Sequence, residues 1–478
     1  MMPAFLALTL SAALLCLTLA WPATWGLGWF ALWPVFWLLD KDPSWKTRLL
    51  LGACWLFLIS QMGFPYAVST AYLHLDRQNP LGAWLMGTTL GVITSLRYLV
   101  FMFLASPRAN RTLGWAALWC ACELLIWQMM PVYGGVHVLG DLAFIQWAEI
   151  VGAPGLSWLW FVLSFTLYQG VRERPRLIPG LALFVAVHGV GLFWLYSWER
   201  RMLDWPRRRV AVIQANQPAS LVRTMEVGLA ARQRMLEQTQ KWLETQDPKP
   251  EVVIWPEASL PLIEYQRLGG LSVGTQLIFA DHEPGSQQGY VVARLLDKEG
   301  RSLASYRKRK LILMGEWRPW APEQSLQTGD RDQLLPSALG PALPLVCFEG
   351  LWPSFVASFQ RHTGAAATWV VHLGSESSFG SPLACRQSLH LALLRAVELR
   401  RPMVRADNSG VSGWIDPSGH LYQATIPFTS RSQTMVLAID PHPAPTLYTR
   451  WGDLPLAVLI AGGLWALFKP LRKVPPCE

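Results

Sequence analysis

Charge is scarce in this chain. Only 15% of its 478 residues are Asp, Glu, Lys or Arg, against roughly 25% in an ordinary soluble domain, which excludes a chain solvated along its whole length. Metal-binding spacings are absent as well. Its seven cysteines and nine histidines form no CxxC and no His-rich run, so neither a metal nor a cofactor is expected. Four cysteines (Cys16, Cys54, Cys120, Cys122) fall in apolar runs and Cys477 in the tail, leaving Cys347 and Cys385 in a polar segment. In an exported domain those two could pair; a nucleophilic Cys347 requires that they do not. There is no internal repeat and no low-complexity tract.

What is abundant is apolar surface: 52% hydrophobic residues and 26 tryptophans, the side chain that favours the membrane–water interface. Apolar runs occupy about 3–20, 24–39, 49–70, 82–105, 112–130, 154–170, 177–198 and 453–468. Most approach the ~20 residues that cross a bilayer, and eight spans are expected. No basic residue precedes the first run and further runs follow it, so it reads as a retained helix rather than a cleaved signal. Arg97, Glu123 and His188 fall inside spans, where ionisable groups must face protein or water.

Basic residues orient the spans. With the N-terminus inside, inside loops carry Lys41, Lys46, Arg48, Arg108, Arg111, Arg172, Arg174 and Arg176, and the tail Lys469, Arg472 and Lys473; short outside loops carry only Arg77. The bias puts the long segment between the seventh and eighth runs outside the cytoplasm. It also accounts for much of the net charge of +9 without a nucleic-acid partner. The expected organisation is a seven-helix membrane domain over 1–204, an extracytoplasmic domain over 205–450, and an eighth helix with a cytoplasmic tail over 451–478.

Residues 205–450 change character. Arg209-Val-Ala-Val-Ile-Gln214 and Glu251-Val-Val-Ile-Trp255 suit buried strands, as do 276–280, 289–296, 343–348, 367–372 and 434–439, while 219–245 and 383–400 have helical composition. Alternating strands and helices predict an α/β domain. Three chemically distinct groups end strand-like stretches there: Glu257 after Trp255-Pro256, Lys308 after Tyr306-Arg307, and Cys347 after Leu345-Val346. A thiol needs a nearby base or cation to become a useful nucleophile. Taken singly, each has an ordinary reading: a buried thiol, a solvated basic run, a turn-capping carboxylate.

Together, Trp255-Pro256-Glu257-Ala258, Tyr306-Arg307-Lys308 and Cys347-Phe348-Glu349 resemble the nitrilase superfamily, with support from Gly315-Glu316, Arg395-Ala396-Val397-Glu398 and Arg405-Ala406-Asp407-Asn408-Ser409-Gly410. With the spans around it, the whole chain resembles the apolipoprotein N-acyltransferase family. The resemblance implies a nitrilase-like four-layer α-β-β-α sandwich inserted in a polytopic helical membrane domain of the bacterial inner membrane, its catalytic side periplasmic. It implies a ping-pong acyl transfer: Glu257 as base, Cys347 as nucleophile, Lys308 at the oxyanion, Glu316 and Glu349 in support. The implied partners are a phospholipid acyl donor, a diacylglyceryl-modified lipoprotein acceptor and the bilayer. Trp317, Trp320, Phe348 and Phe379 are candidate substrate contacts. This chain departs from the family's usual strings at Ser375-Glu376-Ser377-Ser378-Phe379-Gly380, at Ile312-Leu313-Met314-Gly315-Glu316, which lacks the usual proline, and at Phe348. Those departures keep open a different amine acceptor, or a membrane-tethered amidase that uses water.

Overall fold

The computed structural model describes residues 2–68, 80–105, 111–217, 225–257, 273–283, 288–313, 315–364, 366–377 and 379–468, with backbone alone at 111, 225–232 and 468. Arg77, Arg108, Met314, Ser378, Lys469, Arg472, Lys473 and Cys477 lie outside the described residues. The chain divides into two compact units, one built from residues up to Phe193 and again from Trp451 onward, the other from Trp194–Arg450.

The first unit is helical. Four helices are long and apolar enough to cross a membrane: Met2–Ala20, Pro80–Leu104, Ala148–Arg172 and Arg174–Leu203. Eight spans are expected; four are found among the described residues, beside the shorter apolar helices Thr112–Leu125 and Leu454–Leu467. The run at 24–39 is not one helix but a short 3₁₀ turn, Trp25–Gly28 and Trp33–Leu39. Hydropathy sees its apolar content but not its packing: a Cβ on Gly28 would stand 2.2 Å from the His137 carbonyl oxygen, so the chain is bent around a neighbouring segment. Trp45–Gly63 begins with Lys46 and Arg48, and Arg111–Leu125 and Leu454–Phe468 are only 15 residues each. The last two pack through small residues; a Cβ on Gly463 would meet that of Ala117 at 2.4 Å, the close approach that holds apolar helices together in lipid.

Burial separates these helices by role. Ala148–Arg172 is 67% buried over its apolar window and Arg174–Leu203 only 11%. The first is interior, kinked at Gly152 and Pro154; the second exposes Ile178, Val185 and Phe193, an apolar face that suits lipid. Inside the unit Arg97 and Glu123 meet, 3.8 Å apart. Arg97 also donates to Gln128 Oε1 at 2.9 Å, to the Tyr98 hydroxyl at 2.7 Å and to the Val132 carbonyl. Glu123 Oε1 accepts from Trp119 Nε1 at 2.7 Å and Gly134 N at 2.9 Å. His188 pairs with Asp141 at 2.8 Å.

The second unit carries two six-stranded sheets. The first has the order β12-β1-β2-β3-β4-β5, from β1 (Arg207–Gln214), β2 (Val252–Glu257), β3 (Gln276–Glu283), β4 (Tyr290–Leu296), β5 (Ser302–Arg307) and β12 (Arg431–Ala438). The second has the order β11-β10-β9-β8-β7-β6, from β6 (Leu335–Ser337), β7 (Gly340–Val346), β8 (Trp369–Gly374), β9 (Met403–Asp407), β10 (Gly413–Ile415) and β11 (Leu421–Tyr422). Each is parallel at its centre, β1-β2-β3 and β7-β8-β9, and antiparallel at its edges. Parallel strands must be covered on both faces, and these are. Ala211, Ile213, Val253, Trp255, Leu277 and Phe279 pack under Met235 and Leu243 of the helix Met225–Glu244. The alternate residues Val210, Val212, Val252, Ile254, Ile278 and Ala280 are equally buried, on the face that meets the second sheet through β1, β2, β8 and β9. Helices Pro353–His362 and Pro382–Leu399 connect β7 to β8 and β8 to β9, completing an α-β-β-α layering.

Candidate active site

Strand ends make the site. β2 pairs with β3 in register from Val252↔Gln276 to Ile254↔Ile278, then shifts so that Glu257 faces Ala280. Pro256, which has no N–H for the ladder, sits in that shift. In an unbroken strand Glu257 would share the helix-facing side of Val253 and Trp255; the shift releases it to the other face. Lys308 follows β5, its N–H continuing the ladder to Val291 O at 2.8 Å. Cys347 follows β7 and opens a short 3₁₀ helix, Cys347–Leu351.

These three residues come together. Lys308 Nζ lies 3.4 Å from Glu257 Oε1 and 2.6 Å from Glu316 Oε1, and the Cys347 thiol is near enough to the Glu257 carboxylate that each shifts the other's titration. Lys308 is fully buried, whereas Cys347 taken as a whole residue is only partly buried. Glu316 is held by its own loop, its Oε2 accepting from Ile312 N at 2.9 Å. Beside it opens a cavity of about 450 Å³ lined by Gln288, Gly315, Glu316, Arg318, Gln324 and Leu326.

Electrostatics give each group a distinct state. Burial pushes Glu257 up to about 7; Lys308 pulls the other way and Glu316 adds to the rise. Burial alone would lower Lys308, but the Glu257 and Glu316 carboxylates outweigh it and hold the ammonium charged. Burial and the Glu257 charge keep the Cys347 thiol well above its ordinary range, with Lys308 opposing. The resting arrangement is therefore a protonated thiol near a base that titrates near neutrality.

Glu349 plays another part. Fully buried, its Oε1 accepts from the Tyr306 hydroxyl and Arg309 N, both at 2.7 Å, and from Lys310 N at 3.2 Å; its Oε2 accepts from Val346 N at 2.9 Å. It ties the strand end before Lys308 to the strand end before Cys347. Trp317 stands 47% exposed on the Glu316 loop and Trp320 is 66% exposed. Phe348 is partly buried, edge-on to Trp352 at 5.5 Å. Phe379 sits in the turn after β8, its N–H on Glu376 O at 3.1 Å. Cys347 and Cys385 are both free thiols. Sequence reasoning passed over His282 at the end of β3. Its ring feels both the Glu316 carboxylate and the Lys308 ammonium, while burial keeps it below the usual imidazole range; a lone histidine in a polar stretch carries no motif signal.

Comparison with known proteins bears on this geometry. Residues 11–166 match the family described as the apolipoprotein N-acyltransferase N-terminal domain. An apolipoprotein N-acyltransferase of Rhodopseudomonas palustris is 27% identical, covering 94% of this chain and 92% of that one. Over most of its length the chain is similar to apolipoprotein N-acyltransferases. Apolipoprotein N-acyltransferase 2 of Leptospira interrogans is 24% identical, over 79% of this chain and 80% of that protein. Among solved structures, Saccharomyces cerevisiae Nit3, a member of branch 10 of the nitrilase superfamily, is 16% identical with a TM-score of 0.39, covering 52% of this chain and 95% of that one. The family resemblance read from short strings thus extends along nearly the whole chain.

Proposed function

We propose that this chain is a membrane-bound N-acyltransferase. It moves a fatty acyl chain from a phospholipid to the N-terminal α-amine of a diacylglyceryl-cysteine lipoprotein, through a thioester on Cys347. The observation that carries the reading is the meeting of thiol, carboxylate and buried ammonium at three strand ends, beside a cavity, in a chain with four helices apolar enough to cross a membrane. Relatives named apolipoprotein N-acyltransferase support the acceptor class.

In the first half-reaction Glu257 takes the thiol proton as Sγ attacks the ester carbonyl. Lys308 stabilises the tetrahedral oxyanion, with a backbone N–H in support. Collapse breaks the ester C–O bond, and the proton on Glu257 passes to the departing lysophospholipid oxygen. In the second, the acceptor amine attacks the thioester carbonyl, a C–N bond replaces the C–S bond, and the amine proton returns through Glu257 to the sulfur. Glu316 keeps Lys308 charged and placed, and Trp317, Phe348 and Phe379 contact the acyl chain or the acceptor. By the basic-residue bias of the short loops, the enzyme sits in the bacterial inner membrane with this site on the periplasmic side.

The test is transfer. Purified protein in micelles, given phosphatidylethanolamine and a diacylglyceryl peptide with a free amine, is expected to yield N-acyl peptide and lysophospholipid in equal amounts; Cys347→Ala yields neither. Free fatty acid in place of N-acyl peptide would instead identify a water-using amidase-like enzyme, and a persistent acyl-enzyme would identify a different acceptor.

A further inference from the structure

The nucleophile sits in a strained backbone. Cys347 has φ +50°, in the left-handed region that is strained for a side chain-bearing residue and persists only where the surroundings over-determine it. One of those surroundings is His372 on β8, whose Nε2 lies 2.8 Å from the Cys347 carbonyl oxygen. Its other ring nitrogen, Nδ1, lies 3.1 Å from Arg405 Nη1. A guanidinium has donors and no acceptor. Nδ1 must therefore be the accepting nitrogen, the neutral ring carries its proton on Nε2, and Nε2 donates to Cys347.

Arg405 is fixed in turn. Its Nη2 donates to Glu376, to Asp407 Oδ2 at 3.1 Å and to Ser388 Oγ at 3.2 Å, and its Nε to the Val411 carbonyl at 3.1 Å. All of these side chains are buried. The cluster is also walled by backbone: a Cβ on Gly350 would stand 2.7 Å from the His372 ring, and one on Gly410 would stand 2.1 Å from Glu376 Oε2. Burial and the Arg405 charge push His372 down to about 3, so the ring stays neutral at any working pH. Glu376, a departure from the family string in the sequence, is thus an anchor of this chain of contacts.

We propose that His372 is a positioning residue for the nucleophile: it pins the Cys347 carbonyl, and Arg405, anchored by Glu376 and Asp407, dictates the only tautomer that can do so. Because the Cys347–Phe348 peptide is planar and trans, pinning the carbonyl also sets the direction of the Phe348 N–H on its opposite side. That last consequence rests on the acyl-transfer reading, where this amide is placed to support the oxyanion. The hold on Cys347 itself does not.

The test uses His372→Leu, which removes the donor, and His372→Gln, whose amide can donate to the carbonyl and accept from Arg405. Two rates are read on the full-length protein in micelles: alkylation of Cys347 by iodoacetamide, and acyl-adduct formation from phosphatidylethanolamine. His372→Leu is expected to slow both by about 10- to 100-fold, the scale of a misplaced reacting group, and His372→Gln to return both to within about threefold of the parent. A folded His372→Leu alkylating at the parent rate, or a His372→Gln as slow as Leu, would overturn the proposal. If the leucine variant does not fold, the ¹⁵N shifts of labelled histidine in the parent protein decide it. A proton on Nε2 alone, assigned by loss of the signal in His372→Gln, is expected, and a proton on Nδ1 contradicts it. A parent that alkylates at Cys347 yet forms no acyl adduct would sink the proposed function and leave this inference to its alkylation and tautomer tests.

Discussion

Two buried ion pairs invite comparison. In the helical unit, Arg97 faces the carboxylate of Glu123 at 3.8 Å, and its Nη1 and Nη2 also donate to Gln128, Tyr98 and the Val132 carbonyl. In the α/β unit, Lys308 stands between two carboxylates at 3.4 and 2.6 Å, one of which also interacts with the Cys347 thiol. The first network ends on backbone and neutral side chains. The second ends on the Cys347 thiol, and its Glu316 lines a cavity. Both are costly burials that hydrogen bonding must compensate, but the second gathers its groups at three strand ends, with the Glu257 carboxyl raised by burial to titrate near neutral pH. A buried charge by itself therefore says little about chemistry; what terminates its network says much more.

The comparison breaks most sharply at the nucleophile and its base. Cys347→Ala should abolish adduct formation, and Glu257→Gln should slow it by about 10²–10⁴-fold, the worth of a positioned general base, read as single-turnover acylation by mass spectrometry. Lys308→Met should cost about 10²–10³-fold, the worth of an oxyanion donor. Either variant acylating at the parent rate would put the site on a par with the Arg97 network.

The pH profile sharpens the difference. Glu257 acts as base only when deprotonated, and burial holds it at about 7. Acylation should thus rise about tenfold per pH unit below neutrality and flatten above it, a step that Glu257→Gln removes. Lys308, held charged by its two carboxylates, adds no fall within that range.

Smaller effects separate structure from chemistry. Arg97→Leu leaves Glu123 buried without its cation and should cost about 3–5 kcal/mol of stability, while the alkylation rate of Cys347 in the folded fraction stays at the parent value. Glu349→Gln removes a charged acceptor from four hydrogen bonds and should cost about 1–3 kcal/mol, with a moderate loss of acylation as the Lys308 and Cys347 strand ends loosen. Thermal unfolding in micelles reads both.

Much of the site was legible in the sequence because its groups close strands in a fixed order. Glu257 and Cys347 each end a buried apolar run, Lys308 follows the Tyr306-Arg307 end of the polar β5, and Glu316 and Glu349 sit in short recognisable strings. The membrane unit was less legible. Hydropathy counts apolar residues, but the run at 24–39 is broken by close packing of Gly28 against a distant segment, and Trp45–Gly63 is tempered by Lys46 and Arg48. β9 escaped notice because Arg405 and Asp407 interrupt its apolar pattern, although all five of its residues are buried. β5 is polar and lies at a sheet edge, so no apolar run marked it. His372 looked like a polar interruption of an apolar strand; its role depends on Arg405, 33 residues away, a partnership no local pattern shows.

The central claim is that Cys347 carries the acyl chain. Intact-mass analysis of the protein after incubation with phosphatidylethanolamine of one defined acyl composition tests it most directly. The account predicts one added acyl group, mapped to Cys347, released by neutral hydroxylamine and absent from Cys347→Ala. A folded, lipid-supplied protein that gains no acyl mass, or gains it equally in Cys347→Ala, would contradict it.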